Sequence, residues 1–152
     1  MRQEALKHLA LIRSVNASFR SELVYLDGQK EIIRRQTPDL LEDWCTACGS
    51  SLQGRVDGIK KLIGVKRKFP VLIRESDRLI LFPLRGASYP DENYWINDSN
   101  LVHAEPIGRT AANLVFVSGL KLTIPFDCRI IRHQRDVCQI YRSALNQSMK
   151  EL

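Results

Sequence analysis

Long apolar runs are missing from this chain, and no stretch approaches the ~20 consecutive hydrophobic residues that a membrane-spanning helix requires. The N-terminus, Met1 to Ala10, carries Glu4 and His8 where an export signal has its apolar core. A cytoplasmic protein with no membrane partner is therefore expected. Histidine is scarce, and His8, His103 and His133 show none of the H-x₃₋₅-H spacing of a metal arm. Four cysteines do not make an exported disulfide framework at this size. Cys45 and Cys48 form a C-x-x-C pair, whereas Cys128 and Cys138 are too widely spaced to complete a four-thiolate zinc site. Buried thiols acting as small hydrophobes are the expectation, with no metal and no cofactor; a zinc site and a redox pair are the competing readings.

Catalytic signatures are missing as well. There is no phosphate-cradling P-loop, no paired-carboxylate motif and no G-x-S-x-G. An enzyme would have to rest on Cys45 or Cys48 with His103 or His133, and nothing places a base beside a thiol. No enzyme is expected, and no catalytic residue is assigned. Internal repeats, low-complexity linkers and domain boundaries are also absent. The 152 residues, 44% hydrophobic and 26% charged, read as one globular domain spanning 1–152.

What the chain does have is charge of one sign in one place. Residues 54–86 hold nine of its 23 Lys and Arg residues and three of its 17 Asp and Glu residues, which is the whole net charge of +6. The flanking stretches balance. A neutral body with one basic segment is the sequence form of a surface for phosphate, nucleic acid or anionic lipid. The competing reading is an idle solvated face.

The local signals alternate between helix and sheet. Residues 5–12 suit a short amphipathic helix through Leu6, Leu9, Ala10 and Ile12. Residues 22–26 and 31–34 flank Asp27-Gly28, a hairpin turn signal. Thr37-Pro38-Asp39 reads as a helix start capped by Thr37, leading to a helix that buries Leu40, Leu41, Trp44, Cys45 and Cys48 and stops at Gly49. Ser50 or Ser51 caps a second helix, 52–63, with Gly54 and Gly58 on one face and Lys60 and Lys61 in the last turn. Two glycines four apart imply close approach of another backbone, from the protein or from DNA. Beyond Gly64 the pattern becomes sheet: 70–73 with 79–82, short strands at 94–96 and 101–103, and a hairpin of 114–117 with 120–124 across Ser118-Gly119. A final helix over 127–147 has Ile130, Ile131, Val137, Cys138, Tyr141, Ala144 and Leu145 on its apolar face and Arg129, Arg132, Arg135 and Arg142 on a solvated arc. The fold class is α+β, a single domain with a helix pair, a central antiparallel sheet built of hairpins, and a long C-terminal helix packed on it.

The middle of the chain resembles the competence transcription factor family, ComK, of Gram-positive bacteria. The matching text is Cys45-x-x-x-Gly49-Ser50-Ser51-x-x-Gly54-Arg55-x-x-Gly58, then Lys68-x-Pro70, Phe82-Pro83 and Trp95-Ile96, and more weakly Phe116-x-x-Gly119 and the Arg-rich last helix. It covers about two thirds of the chain, from near Leu41 to near Leu145. The resemblance implies a sequence-specific DNA-binding activator of DNA-uptake genes, reading paired A·T-rich boxes through the minor groove as a dimer that associates further on the promoter. Double-stranded DNA, a second copy and RNA polymerase are the implied partners, at the nucleoid. The chain differs in its N-terminal region, in Cys48 where an aromatic is common, and in stopping at Leu152 without the tail through which some members meet an adaptor for a Clp protease. That control is not carried over.

Minor-groove readout of A·T runs needs cations more than a donor–acceptor code. The expected DNA-binding residues are Arg55, Lys60, Lys61, Lys66, Arg67 and Lys68, with Arg67 inserted in the groove and the lysines on phosphates. Trp44, Phe82 and Trp95 are expected in the core, since one aromatic in the cluster, Phe69, is not a stacking platform. Three alternatives stay open: a major-groove helix–turn–helix built from the helix pair, a protein–protein regulator whose basic surface meets an acidic partner, and an RNA surface.

Overall fold

The computed structural model describes residues 3–15, 19–85 and 93–150. A 3-10 helix, Gln3–His8, leads into β1 (Leu9–Val15), followed by β2 (Arg20–Tyr25), β3 (Lys30–Ile33), α1 (Thr37–Ala47) and α2 (Leu52–Ile63). Then come β4 (Val71–Arg74), β5 (Leu79–Arg85), β6 (Asn93–Asn97), a 3-10 turn at Asp98–Asn100, β7 (Leu101–Ile107), β8 (Ala111–Phe116), β9 (Lys121–Ile124) and α3 (Cys128–Lys150). The fold is α+β, as expected, but its strands form two antiparallel sheets. Six strands run in the order β3-β2-β1-β6-β5-β4, and β7-β8-β9 make the second sheet.

The larger sheet is a middle layer buried on both faces. Alternation along β5 sends Leu79 and Leu81 to one core and Ile80, Phe82 and Leu84 to the other. On the first face lie α1 and the N-terminal 3-10 helix, through Leu40, Leu41, Trp44 and Leu6. On the second face lie the small sheet and α3, through Leu114, Phe116, Ile131 and Tyr141. Pro83 sits inside β5 without breaking a ladder. Val71 pairs with Leu81, so Pro83 lies two residues past the start of β4, where no partner strand needs its N–H.

The N-terminal region departs from expectation. Residues 9–12 are strand, because Leu9-Ala10-Leu11-Ile12 is buried from both sides and a continuous apolar run has no period to tell strand from helix. Ala10 and Leu11 face one core, Leu9 and Ile12 the other. Helix α1 begins differently too: its cap is Gln36, and Thr37 is the first helical residue. The Thr37 hydroxyl is fully buried, 2.7 Å from Ser14 Oγ and 2.8 Å from Ser21 Oγ, so it ties α1 to β1 and β2 instead of capping. The stop at Gly49 is as expected. With Gly49 at positive φ, its N–H reaches the Thr46 carbonyl at 3.0 Å and the Ser50 N–H reaches Cys45 at 2.9 Å, which is a Schellman closure.

The arginine arc of α3 is the largest correction. Arg135 and Arg142 both reach Asp98, whose side chain is only 5% exposed. Arg135 also donates to the carbonyls of Leu101 (2.7 Å) and Val102 (2.8 Å), and Arg132 to that of Ala104. These arginines bind the outer side of β7 and the turn before it. Arg129 projects into solvent, Arg132 also remains exposed, and Ile130, expected on the apolar face, is exposed.

Candidate nucleic-acid interface

The basic segment begins on α2. Ser51 caps that helix, its Oγ accepting from the Gly54 N–H at 2.9 Å, and Gly64 ends it in the left-handed conformation. The chain then crosses residues 65–70 to β4 as a loop, carrying Lys66, Arg67 and Lys68, all exposed. Lys60 and Lys61 lie in the last turn of α2, beside the loop. Lys60 Nζ sits 5.1 Å from the centre of the Phe69 ring, joining the helix end to the far end of the loop through a cation–π contact.

Local pairing decides where the net charge resides. Two of the segment's three carboxylates are taken by its own arginines. Arg55 Nη1 lies 2.9 Å from Glu75 Oε1, and Arg74 forms a two-pronged pair with Asp77 at 3.0 and 2.8 Å. The Arg74 guanidinium holds the Asp77 carboxyl below its usual range. The third, Asp57, accepts from Gln53 at 2.8 Å. Among the described residues, Lys60, Lys61, Lys66, Arg67 and Lys68 have no ion pair; Arg78 has none either and bonds the Asn146 side chain at 3.3 Å, so five of the cations left over are gathered within residues 60–68. Arg55 differs from the other five expected residues. Its side chain is only 12% exposed and points inward to Glu75.

The loop is pinned from behind by a residue that sequence reasoning missed. Gln134 of α3 is buried and its Nε2 donates to two carbonyls, Lys68 at 3.1 Å and Pro83 at 2.9 Å. It thus bridges the gap where β4 and β5 no longer pair. Lys68 is held at φ 54, an uncommon value for a residue with a side chain. The signal was present, since Gln134 is a polar residue between Ile131 and Cys138 on the buried side of α3, but its acceptors lie about 50 and 66 positions away in sequence.

Among the described residues, the glycine pair has no protein backbone against it. A Cβ on Gly54 would come 3.0 Å from the Ser51 hydroxyl, and one on Gly58 would meet nothing within 4 Å. Of the two close-approach readings, packing of another backbone from this chain is not found among the described residues. Gly54 is explained by the capping turn, and Gly58 faces open space.

Three of the four thiols are shut away from solvent, and Cys48, expected to be buried, is only half-buried. Cys45, Cys128 and Cys138 are buried, and burial pushes the Cys45 thiol up to about 11 and Cys138 further. All four cysteines are free, and the described residues contain no cluster of three or more His, Cys, Asp or Glu side chains suited to a metal ion. Of the aromatics expected in the core, Trp44 and Phe82 are buried, and Trp95 packs against the core at its edge. Among the described residues, no helix is long and apolar enough to cross a membrane.

Comparison with known proteins places this geometry in a family context. A family model described as ComK protein matches residues 7–150, nearly the whole chain and well beyond the stretch from Leu41 to Leu145. No curated protein and no solved structure matches the chain.

Proposed function

The chain belongs to the ComK family of competence transcription factors, and from that premise we propose that it binds A·T-rich duplex DNA through residues 60–68 to activate DNA-uptake genes, acting in the cytoplasm at the nucleoid. The observation that carries this reading is the charge left after pairing. Glu75 and Asp77 are neutralised by Arg55 and Arg74, and five of the segment's remaining cations, none with an ion pair among the described residues, are gathered on one helix end and one loop. Arg67, in the middle of that loop, enters the narrow minor groove of an A·T run, where the negative potential is deepest. Lys60, Lys61, Lys66 and Lys68 take phosphates, and Gly58 leaves space for a phosphate ridge beside α2. Arg55 contributes indirectly, by removing the charge of Glu75. A loop already fixed by Gly64 at one end and Gln134 at the other loses little freedom on insertion.

The helix–turn–helix alternative is weaker on the same evidence. A recognition helix projects side chains into the major groove. The outer face of α2 carries two glycines, with Gln53 and Asp57 bonded to each other. Dimerisation on paired boxes, further association on the promoter and contact with RNA polymerase belong to the proposal.

Titration of A·T-rich and G·C-rich duplexes against salt tests the reading. Lys60→Ala and Lys68→Ala each lower the slope of log affinity against log salt by about 0.9 and weaken both duplexes alike. Arg67→Ala narrows the preference for A·T. Unchanged binding in all three folded variants sinks the assignment, and salt-sensitive binding to an acidic protein but to neither duplex supports the protein–protein reading instead.

A further inference from the structure

Two cavities flank the start of α3. One, of about 540 Å³, is bounded by Arg67 and Lys68 of the basic loop and by Arg129 and His133 of the helix. The other, of about 410 Å³, is bounded by Arg109 at the β7–β8 turn and by Arg129 and Arg132. Asp127 and Arg129 line both, so the two are neighbours across the helix end. Together their walls carry five Lys and Arg side chains against a single carboxylate, Asp127. That carboxylate is already committed. It accepts from the Arg129 backbone N–H at 2.9 Å and from the Arg129 guanidinium at 2.7–3.2 Å, and these bonds hold it down at about 2, so it stays ionised and paired. Arg109 is exposed at the turn, next to Gly108 at positive φ, and has no partner among the described residues.

We propose that the β7–β8 turn is a second DNA-contact element, in which Arg109, with Arg129 and Arg132 beside it, takes phosphates of the same duplex whose groove receives Arg67. This rests on the DNA-binding reading above. A loop inserted in a minor groove stands between two phosphate ridges only about 6 Å apart. Lys60, Lys61 and Lys66, which line neither cavity, serve the ridge on their own side. The other flank of Arg67 opens onto α3 and, past Arg129, onto Arg109, which supplies cations for the opposite ridge. Nothing in the charge bookkeeping of the sequence marks Arg109, because the stretch after residue 86 is neutral overall; the fold brings the turn and the start of α3 together.

Salt titration of the full chain on one A·T-rich duplex tests the proposal, with Arg109→Ala, Arg109→Gln, Lys68→Ala and the Arg109→Ala/Lys68→Ala pair. Each Arg109 variant is expected to lower the slope by about 0.9, the pair by about 1.8, and each single change to weaken binding roughly eightfold at 0.1 M salt. The A·T over G·C preference stays as in the parent, as befits a phosphate contact. Thermal unfolding should be unchanged, since an exposed turn side chain without a partner is being cut. If Lys68→Ala behaves as stated while both Arg109 variants match the parent, the second element is wrong and the first stands. If the parent shows no salt-dependent duplex binding, both fall together.

Discussion

Gln134→Met removes the two hydrogen bonds that pin the basic loop while keeping an unbranched side chain of similar length in the core. The bond to the Lys68 carbonyl is only part-buried, so that carbonyl can recover water and losing the bond costs about 0.5–1 kcal/mol. The Pro83 carbonyl is buried and its loss leaves it unsatisfied, which costs about 1–3 kcal/mol. The sum, roughly 1.5–4 kcal/mol, is a large part of the stability of an ordinary domain. For a chain of this length it corresponds to a fall in Tm of about 3–16 °C. Urea unfolding should show the midpoint moving down with the slope m unchanged, because the native fold and the unfolded chain bury and expose the same surface as before. At a temperature where parent and variant are both folded, affinity for an A·T-rich duplex should fall and the preference over G·C should narrow, since Arg67 is no longer presented by a fixed loop. A stability change below about 0.5 kcal/mol, the level of an ordinary surface substitution, refutes the clamp. A clear stability loss with unchanged affinity and preference refutes the link between loop position and readout.

The remaining predictions concern α3. Asp98→Ala leaves two partly buried guanidinium groups without their carboxylate and should cost about 3–5 kcal/mol, measured by urea unfolding. Arg142→Ala should cost less, because Arg135 still pairs with Asp98, and the folded variant should keep the parent's duplex affinity and salt slope. Asp127 has its pKa lowered to about 2 by its bonds to Arg129, so its contribution is complete above the ordinary carboxylate range and is lost as pH falls through that value. Asp127→Ala should therefore have a lower urea midpoint than the parent at pH 6, and the gap should close towards pH 2; a gap that persists there contradicts the linkage.

Turn chemistry made much of this fold legible. Asp27-Gly28 and Ser118-Gly119 do sit in hairpin turns, Ser51 and Gly64 do bound α2, and the long last helix lies where its period places it. Such signals are local, and each needs only a few neighbouring residues. Residues 9–12 were misread because burial on both faces erases the periodicity on which the distinction depends. Arg135 and Arg142 were misread as solvated because their partner, Asp98, stands 37 and 44 positions upstream. At the candidate interface, the basic run and its loop could be read from charge and glycine placement alone. The inward turn of Arg55 to Glu75, the pin from Gln134 and the approach of Arg109 all depend on contacts between elements far apart in sequence.

The arginines of α3 along β7 have a consequence for how copies of this protein can meet. An edge strand with free carbonyls is a template for another chain, and sheets left open this way polymerise. On β7 the carbonyls of Leu101, Val102 and Ala104 are already occupied by Arg135 and Arg132, and α3 lies alongside the strand. The small sheet is closed on that side to an incoming strand. Among the described strands, β3, β4 and β9 are the edges left for adding strand to strand, so this helix also limits the directions in which the described sheets can grow into a larger array.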